Sequence, residues 1–192
     1  MLDNAPTDTA TPLTPPAERE RLHTRRYEFG GYRRSDGLWD IEGHMTDTKT
    51  YAFTNRHRGE VQPGEALHDM WIRLTIDEEL VVRDIEAATA AGPFAICPAI
   101  TPNFKRMIGV RLGRGWRQTV REKLGGVEGC THLMEMLLAM ATVAYQSLYP
   151  VLAKKAQENP RPGKPPLIDS CHAFKSDGET VKTLWPEHYT GD

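Results

Sequence analysis

The stretch Leu38-Trp-Asp-Ile-Glu-Gly-His-Met-Thr-Asp47 alternates apolar and polar residues with a period of two. Successive side chains of a strand point to opposite faces. Trp39, Ile41, Gly43 and Met45 therefore share one face, and Leu38, Asp40, Glu42 and His44 the other. The first set faces a core. Three ionisable groups share the opposite side.

Outward from this strand, Tyr27 to Arg33 reads as its partner, joined to it by the turn Ser35-Asp36-Gly37. Thr50 to Thr54 follows as a third strand, with Asp47 and Lys49 in the turn between. After the Pro63-Gly64 turn, Met70, Ile72, Leu74 and Ile76 alternate as the buried face of another strand. The turn Asp77-Glu78-Glu79 leads to a strand over 80–87, and Gly92-Pro93 ends the sheet.

Helices come next. Thr101 is an N-cap with Pro102 at the first helical position, and Phe104, Met107 and Ile108 form its apolar side. Trp116 to Leu124 is a short helix stopped by Gly125-Gly126. The longest helix spans 131–154 with a kink near Pro150, and Leu133, Leu137, Met140, Ala144 and Leu148 form its stripe. Residues 159–166 read as a Pro-rich linker, and 167–174 with 180–184 as a terminal hairpin around Asp177-Gly178. Residues 1–22, rich in Thr, Pro and Ala, read as a disordered tail. Strands followed by helices predict an α+β class over 23–192, an antiparallel sheet with helices packed on one side.

The chain has 192 residues, 39% hydrophobic and 26% charged, which suits one folded domain with terminal extensions. Its net charge of −2 carries no basic excess, so no nucleic-acid partner is expected. The arginines Arg106, Arg111, Arg114, Arg117 and Arg121 fall close together and read as a solvated helix face, with the holding of an anionic substrate as the competing account. Three cysteines, an odd number, argue against a disulfide framework and for a reducing, cytoplasmic setting. The apolar run over 133–145, interrupted by Glu135, is too short to span a bilayer, and no membrane partner is expected. No nucleotide-binding loop and no Gly-x-Ser-x-Gly elbow occurs, so no nucleotide cofactor is expected.

Two groups offer chemistry directly. Asp40, Glu42 and His44 stand at i, i+2, i+4, about 7 Å between neighbours, close enough for one substrate to touch all three. A carboxylate beside an imidazole is the usual pair for moving protons near neutral pH; a solvated sheet face is the competing account. Cys130 follows Gly129 at the start of the long helix, where free N–H groups and the helix dipole favour a thiolate; a small core residue is its competing account. His132 and Glu135, at i and i+3, share a helix face and serve either to orient a ligand or as a helix-end charge pair. Cys171 and His172 are neighbours on an expected strand and so point apart.

The strings Asp36-Gly-Leu-Trp-Asp-Ile-Glu-Gly-His-Met-Thr-Asp-Thr-Lys49, His68-Asp69-Met70 and Gly126-Gly-Val-Glu-Gly-Cys-Thr-His-Leu133 resemble an uncharacterised bacterial family, domain of unknown function 2889. From Pro63 to Tyr149 the order of features is also similar to the U-type iron–sulfur scaffold domain. That domain has a Cys-Gly-Asp motif entering a strand, a Cys at a turn before a helix, and a Cys opening the last helix. Asp69, Cys97 and Cys130 match those places, while Leu67-His68 stands where the scaffold has Cys-Gly. The resemblance implies that Asp69, Cys97 and Cys130 converge, with His68 as a substitute ligand. Such S, S, O and N donors suit zinc or iron.

These readings lead to a small-molecule enzyme of catabolism, a lyase or hydrolase. A metal at His68, Asp69, Cys97 and Cys130 would act with Asp40, Glu42, His44 and His132 in one pocket. The aromatic residues suit an aromatic substrate or simply the core. The alternative is a non-catalytic metal- or iron–sulfur-handling module, and a third reading is an interaction protein with structural polar clusters. A homo-oligomer is left open.

Overall fold

The computed structural model describes residues 12–159 and 162–192. Within it are six strands, β1 (His23–Arg33), β2 (Trp39–Lys49), β3 (Phe53–Asn55), β4 (Gly59–Val61), β5 (Ala66–Ile76) and β6 (Val82–Ala91). Three α-helices follow, α1 (Trp116–Leu124), α2 (Thr131–Glu158) and α3 (Glu179–Leu184). The fold is α+β: an antiparallel sheet in the order β1-β2-β5-β6 with helices against it, and a separate β3-β4 hairpin. The chain divides into two compact units, Met1–Leu148 and Tyr149–Asp192, and α2 runs across the division.

Burial along β2 follows the period-two pattern: Trp39, Ile41, Gly43 and Met45 are buried, and so is Asp47. The strand runs past the expected turn to Lys49. Pairing carries the inner face outward to both sides. Asp47 stands opposite Arg25 on β1 and His68 on β5, and Met45 stands opposite Tyr27 and Met70. The outer face holds Asp40, Glu42 and His44 beside Thr75, Arg73 and Trp71.

The start of α2 covers the inner face, with Leu133, Met136, Leu137, Met140, Ala144 and Leu148 fully buried. Gly43 lets it come close. A Cβ there would lie 3.0 Å from the Phe29 ring and 3.4 Å from the Met140 sulfur. Trp116 of α1 donates its indole N–H to the Leu137 carbonyl at 3.3 Å, tying the two helices together.

Several boundaries differ from those the sequence predicts. The hairpin after β2 is β3-β4 rather than a strand over 50–54, and β6 begins at Val82 and continues to Ala91. The helix expected from Thr101 is a 3₁₀ run from Cys97 to Met107 with Pro98 in its first turn. The Thr101 hydroxyl donates to the Pro98 carbonyl at 3.0 Å instead of capping, and Ile108 is 46% exposed. α2 continues through Pro150 to Glu158. At 28 residues it is long and apolar enough, by length and composition, to cross a membrane, so the brevity expected of the apolar run does not hold. Within its first five turns one side of the helix, Leu133, Met136, Leu137, Met140, Ala144 and Leu148, is buried in the first unit.

The second unit contains no terminal hairpin. Residues 172–174 form a 3₁₀ turn, and 179–184 form α3. Local bonds to Asp169 decide this: its carboxylate accepts the Ser176 N–H at 2.9 Å and pairs with Lys164, and its own N–H donates to the Phe174 carbonyl at 2.8 Å. A ladder between 167–174 and 180–184 would need those backbone groups. Of the expected disordered tail, residues 1–11 lie outside the described residues, and 12–22 precede β1 without regular structure. Pro160 and Arg161 of the expected linker also lie outside them.

Candidate acid–base and metal centre

One end of the sheet gathers the polar groups of the inner face. There β1 begins, β2 ends, β5 begins and α2 begins. Asp47 is the hub, 2% exposed. Its Oδ1 accepts from His23 Nε2 at 2.7 Å and Arg25 Nε at 2.8 Å. Its Oδ2 accepts from Arg25 Nη2 at 2.7 Å and from His68 Nδ1 at 2.9 Å. Two donors per oxygen fill a carboxylate's acceptor capacity.

Charge follows from this geometry. Burial alone would raise the Asp47 pKa, but hydrogen bonds from Arg25 and His23, the Arg25 charge and the His68 bond outweigh it and hold the carboxyl far below its ordinary range. The Arg25 guanidinium is stabilised in turn by that carboxylate, against the cost of its partial burial. Asp47 is thus ionised and only accepts, so His68 Nδ1 and His23 Nε2 carry the protons. Burial pushes the His68 pKa below its usual value, and the neighbouring Arg25 and His23 add to that against the pull of Asp47. A neutral His68 with its proton on Nδ1 keeps the Nε2 lone pair free.

His132, in the first turn of α2, lies against His68, with ring centroids 4.1 Å apart and planes tilted by 42°. Burial lowers its pKa too, with the proximity of His68 and Arg25 acting in the same direction. Cys130 Sγ is 3.9 Å from His132 Nδ1. Gly129 permits this tight entry to the helix, since a Cβ there would fall 2.1 Å from the Leu124 carbonyl oxygen. Glu135 closes the group on the outer side: it accepts from the Tyr27 hydroxyl at 3.0 Å and from Arg25 Nη1 at 3.4 Å. Burial and that bond raise the Tyr27 pKa, against Arg25. His23, Cys130 and His132 are partly exposed, so the centre is open to solvent on their side.

Among the described residues, one group of three His, Cys, Asp or Glu side chains brings its ligand atoms within 4.8 Å of one another: Asp47, His68 and His132. This corrects the expected ligand set. His68 and Asp69 are neighbours on β5 and point to opposite faces, because β5 begins at Ala66 rather than at Met70. Asp69 accepts instead from His44 Nε2 at 3.0 Å and Trp71 Nε1 at 2.8 Å on the outer face. Cys97 stands at the start of the 3₁₀ run, against Gly92 at the end of β6, and is outside the convergent group. Cys130 adjoins His132 but does not join the group either.

The acid–base trio shares one face as expected, yet each member has its own partner. Asp40 accepts from the Thr75 hydroxyl at 2.6 Å and Glu42 from Arg73 Nε at 2.8 Å, while His44 stacks on Trp71 with centroids 3.6 Å apart. The sheet itself separates this trio from His68 and His132, so no single pocket joins the two expected groups. Glu42, Trp71, Arg73 and Glu86 line a hollow on that outer side. Glu135 bonds across to β1 and not to His132. Cys171 and His172 fall in the second unit, in a turn rather than a strand, with Cys171 exposed. Arg106 pairs with Glu128 and Arg111 with the Glu79 carbonyl.

Sequence reasoning missed Asp47, Arg25 and His23. The signal was present: continuing the alternation of β2 past Met45 puts Asp47 on the core side, where a carboxylate requires partners.

The family described as "Protein of unknown function (DUF2889)" matches residues 23–146, well over half of the chain, and the chain belongs to it. That match spans β1 through most of α2 and so contains the whole centre. No curated protein and no solved structure matches the chain, and the likeness to the iron–sulfur scaffold rests on the order of features alone.

Proposed function

We propose that this member of the family is a small-molecule enzyme, a hydrolase or lyase, that works at Asp47, His68 and His132. The observation that carries the reading is the Asp47–His68 bond at 2.9 Å, made by a carboxylate whose other acceptor positions are already filled. It fixes the tautomer and orientation of His68 and leaves Nε2 as a base. This is the job a buried Asp does for a catalytic imidazole.

His68 takes a proton, either from a water that attacks a substrate carbonyl or from a carbon beside one. Asp47 stabilises the imidazolium that forms. The His68 imidazolium then gives that same proton to the leaving group, directly or relayed through His132 in contact with it, and Cys130 lies beside His132 on the open side. Generic acid–base assistance of this kind contributes about 10²–10⁴-fold. An aromatic substrate from a catabolic route in a cytoplasmic setting fits the reading, as does a homo-oligomer.

The test is turnover of p-nitrophenyl esters and short acyl thioesters by the untagged full-length chain. His68→Gln is expected to lower it about 10²-fold or more, and His44→Gln to leave it unchanged. Turnover that survives His68→Gln and His132→Gln, or that is lost in His44→Gln, contradicts the reading.

A further inference from the structure

We propose that Asp47, His68 and His132 together bind one divalent transition-metal ion of the zinc or iron(II) class. The proposal rests on reading this centre as the working site and adds what it works with.

The three ligands come from three elements, β2, β5 and the first turn of α2. Their ligand atoms lie within 4.8 Å of one another, a spread that small rotamer changes close around a single ion. Two imidazoles and one carboxylate form the donor set of catalytic zinc sites and of non-haem iron sites, which keep positions open for water or substrate.

The surroundings fit a cation. Asp47 Oδ1 is pinned by His23 and by Arg25 Nε, the outer layer of hydrogen bonds that aims a ligating carboxylate. Oδ2 accepts from both His68 Nδ1 and Arg25 Nη2. An ion bound there takes the place of the His68 proton, so in the loaded centre His68 serves as a ligand rather than as the base, while Oδ1 stays pinned. Arg25 is the one fixed positive charge beside the hub, and Glu135 contacts it from the far side, so Asp47 and Glu135 outnumber it. The outer-face pair His44 and Asp69 offers one imidazole and one carboxylate and does not reach three ligands.

The experiment uses untagged full-length chain, stripped with a chelator and desalted. It is titrated with Co²⁺, read by visible absorption, and with Zn²⁺, read by competition with a chromophoric chelator. One equivalent is expected, with cobalt bands in the visible. Affinity should drop about tenfold or more in both His68→Ala and His132→Ala, and stay unchanged in His44→Ala. Circular dichroism confirms that each variant is folded; His132, partly exposed, supplies the decisive variant if His68→Ala is not. Absence of stoichiometric binding overturns the proposal, and so does binding that ignores both His variants or falls in His44→Ala. The readouts separate it from the enzyme reading. Metal binding without ester or thioester turnover supports the ion, whereas turnover lost in His68→Gln without metal binding sinks the ion and leaves the base.

Discussion

His68 and Asp47 are register partners across β5 and β2, and their side chains meet on the inner face with Nδ1 2.9 Å from Oδ2. Strand pairing thus sets the bond. Arg25, partner of the same Asp47 on β1, completes it from the other side.

Removing the hub should be costly. Asp47→Ala leaves Arg25, His23 and His68 without their acceptor, and breaking a buried charged pair on one side costs about 3–5 kcal/mol. Because Arg25 and His23 keep some access to water, a loss of about 2–4 kcal/mol is expected in urea unfolding. A loss below about 0.5 kcal/mol would show that Asp47 does not organise the site.

The acid side of the stability profile should have two steps. His68 and His132 have folded pKa values below the unfolded value of about 6.5, so their contribution is present above that pH and drains away as pH falls. Asp47 has the same sign at lower pH: its contribution is complete above the ordinary carboxylate value near 3.9 and is lost on further acidification. In chelator-treated protein, His68→Gln should remove much of the upper step and Asp47→Asn the lower one. Parallel profiles for wild type and both variants would contradict the assigned environments.

Gly43 should tolerate no side chain of size. Its missing Cβ is what admits the Phe29 ring and Met140, so Gly43→Val should cost about 1–3 kcal/mol through overpacking. Met140→Ala in the same chain should recover part of that. A neutral Gly43→Val would mean that the Phe29 ring and Met140 do not close over this point of the sheet.

On the outer face the effects should be small. The His44, Asp69 and Trp71 cluster is partly solvated, and exposed pairs of this kind are worth about 0–1 kcal/mol. Asp69→Ala is therefore expected to unfold within about 1 kcal/mol of wild type and to bind Co²⁺ as wild type does. Loss of cobalt binding in Asp69→Ala would return the metal to the outer face.

The parts of the fold legible in sequence were those with strong periodicity. The alternation of 38–47 and of 70–76 and the stripe of the long helix each specify a buried face, and Gly125 marks the end of α1. The site was legible only in pieces. His68, Cys130 and His132 were identified, but grouping His68 with Asp69 ignored that strand neighbours point apart once β5 is extended to Ala66. Asp47, at the end of the alternating stretch, reads in sequence as the start of a turn, whereas the strand continues and the charge is offset by Arg25 and two imidazoles. Those partners are distant in the chain, so no local pattern announces them. The segment 167–184 alternates weakly, and bonds to Asp169 settle it as turns and a helix.

The most direct test of the centre is a long-range proton–nitrogen correlation spectrum of the histidine rings in chelator-treated, full-length protein at neutral pH. The account predicts a neutral His68 with its proton on Nδ1, a signature that changes in Asp47→Asn and not in Asp69→Asn. A His68 protonated on Nε2, or one indifferent to Asp47→Asn, would contradict it.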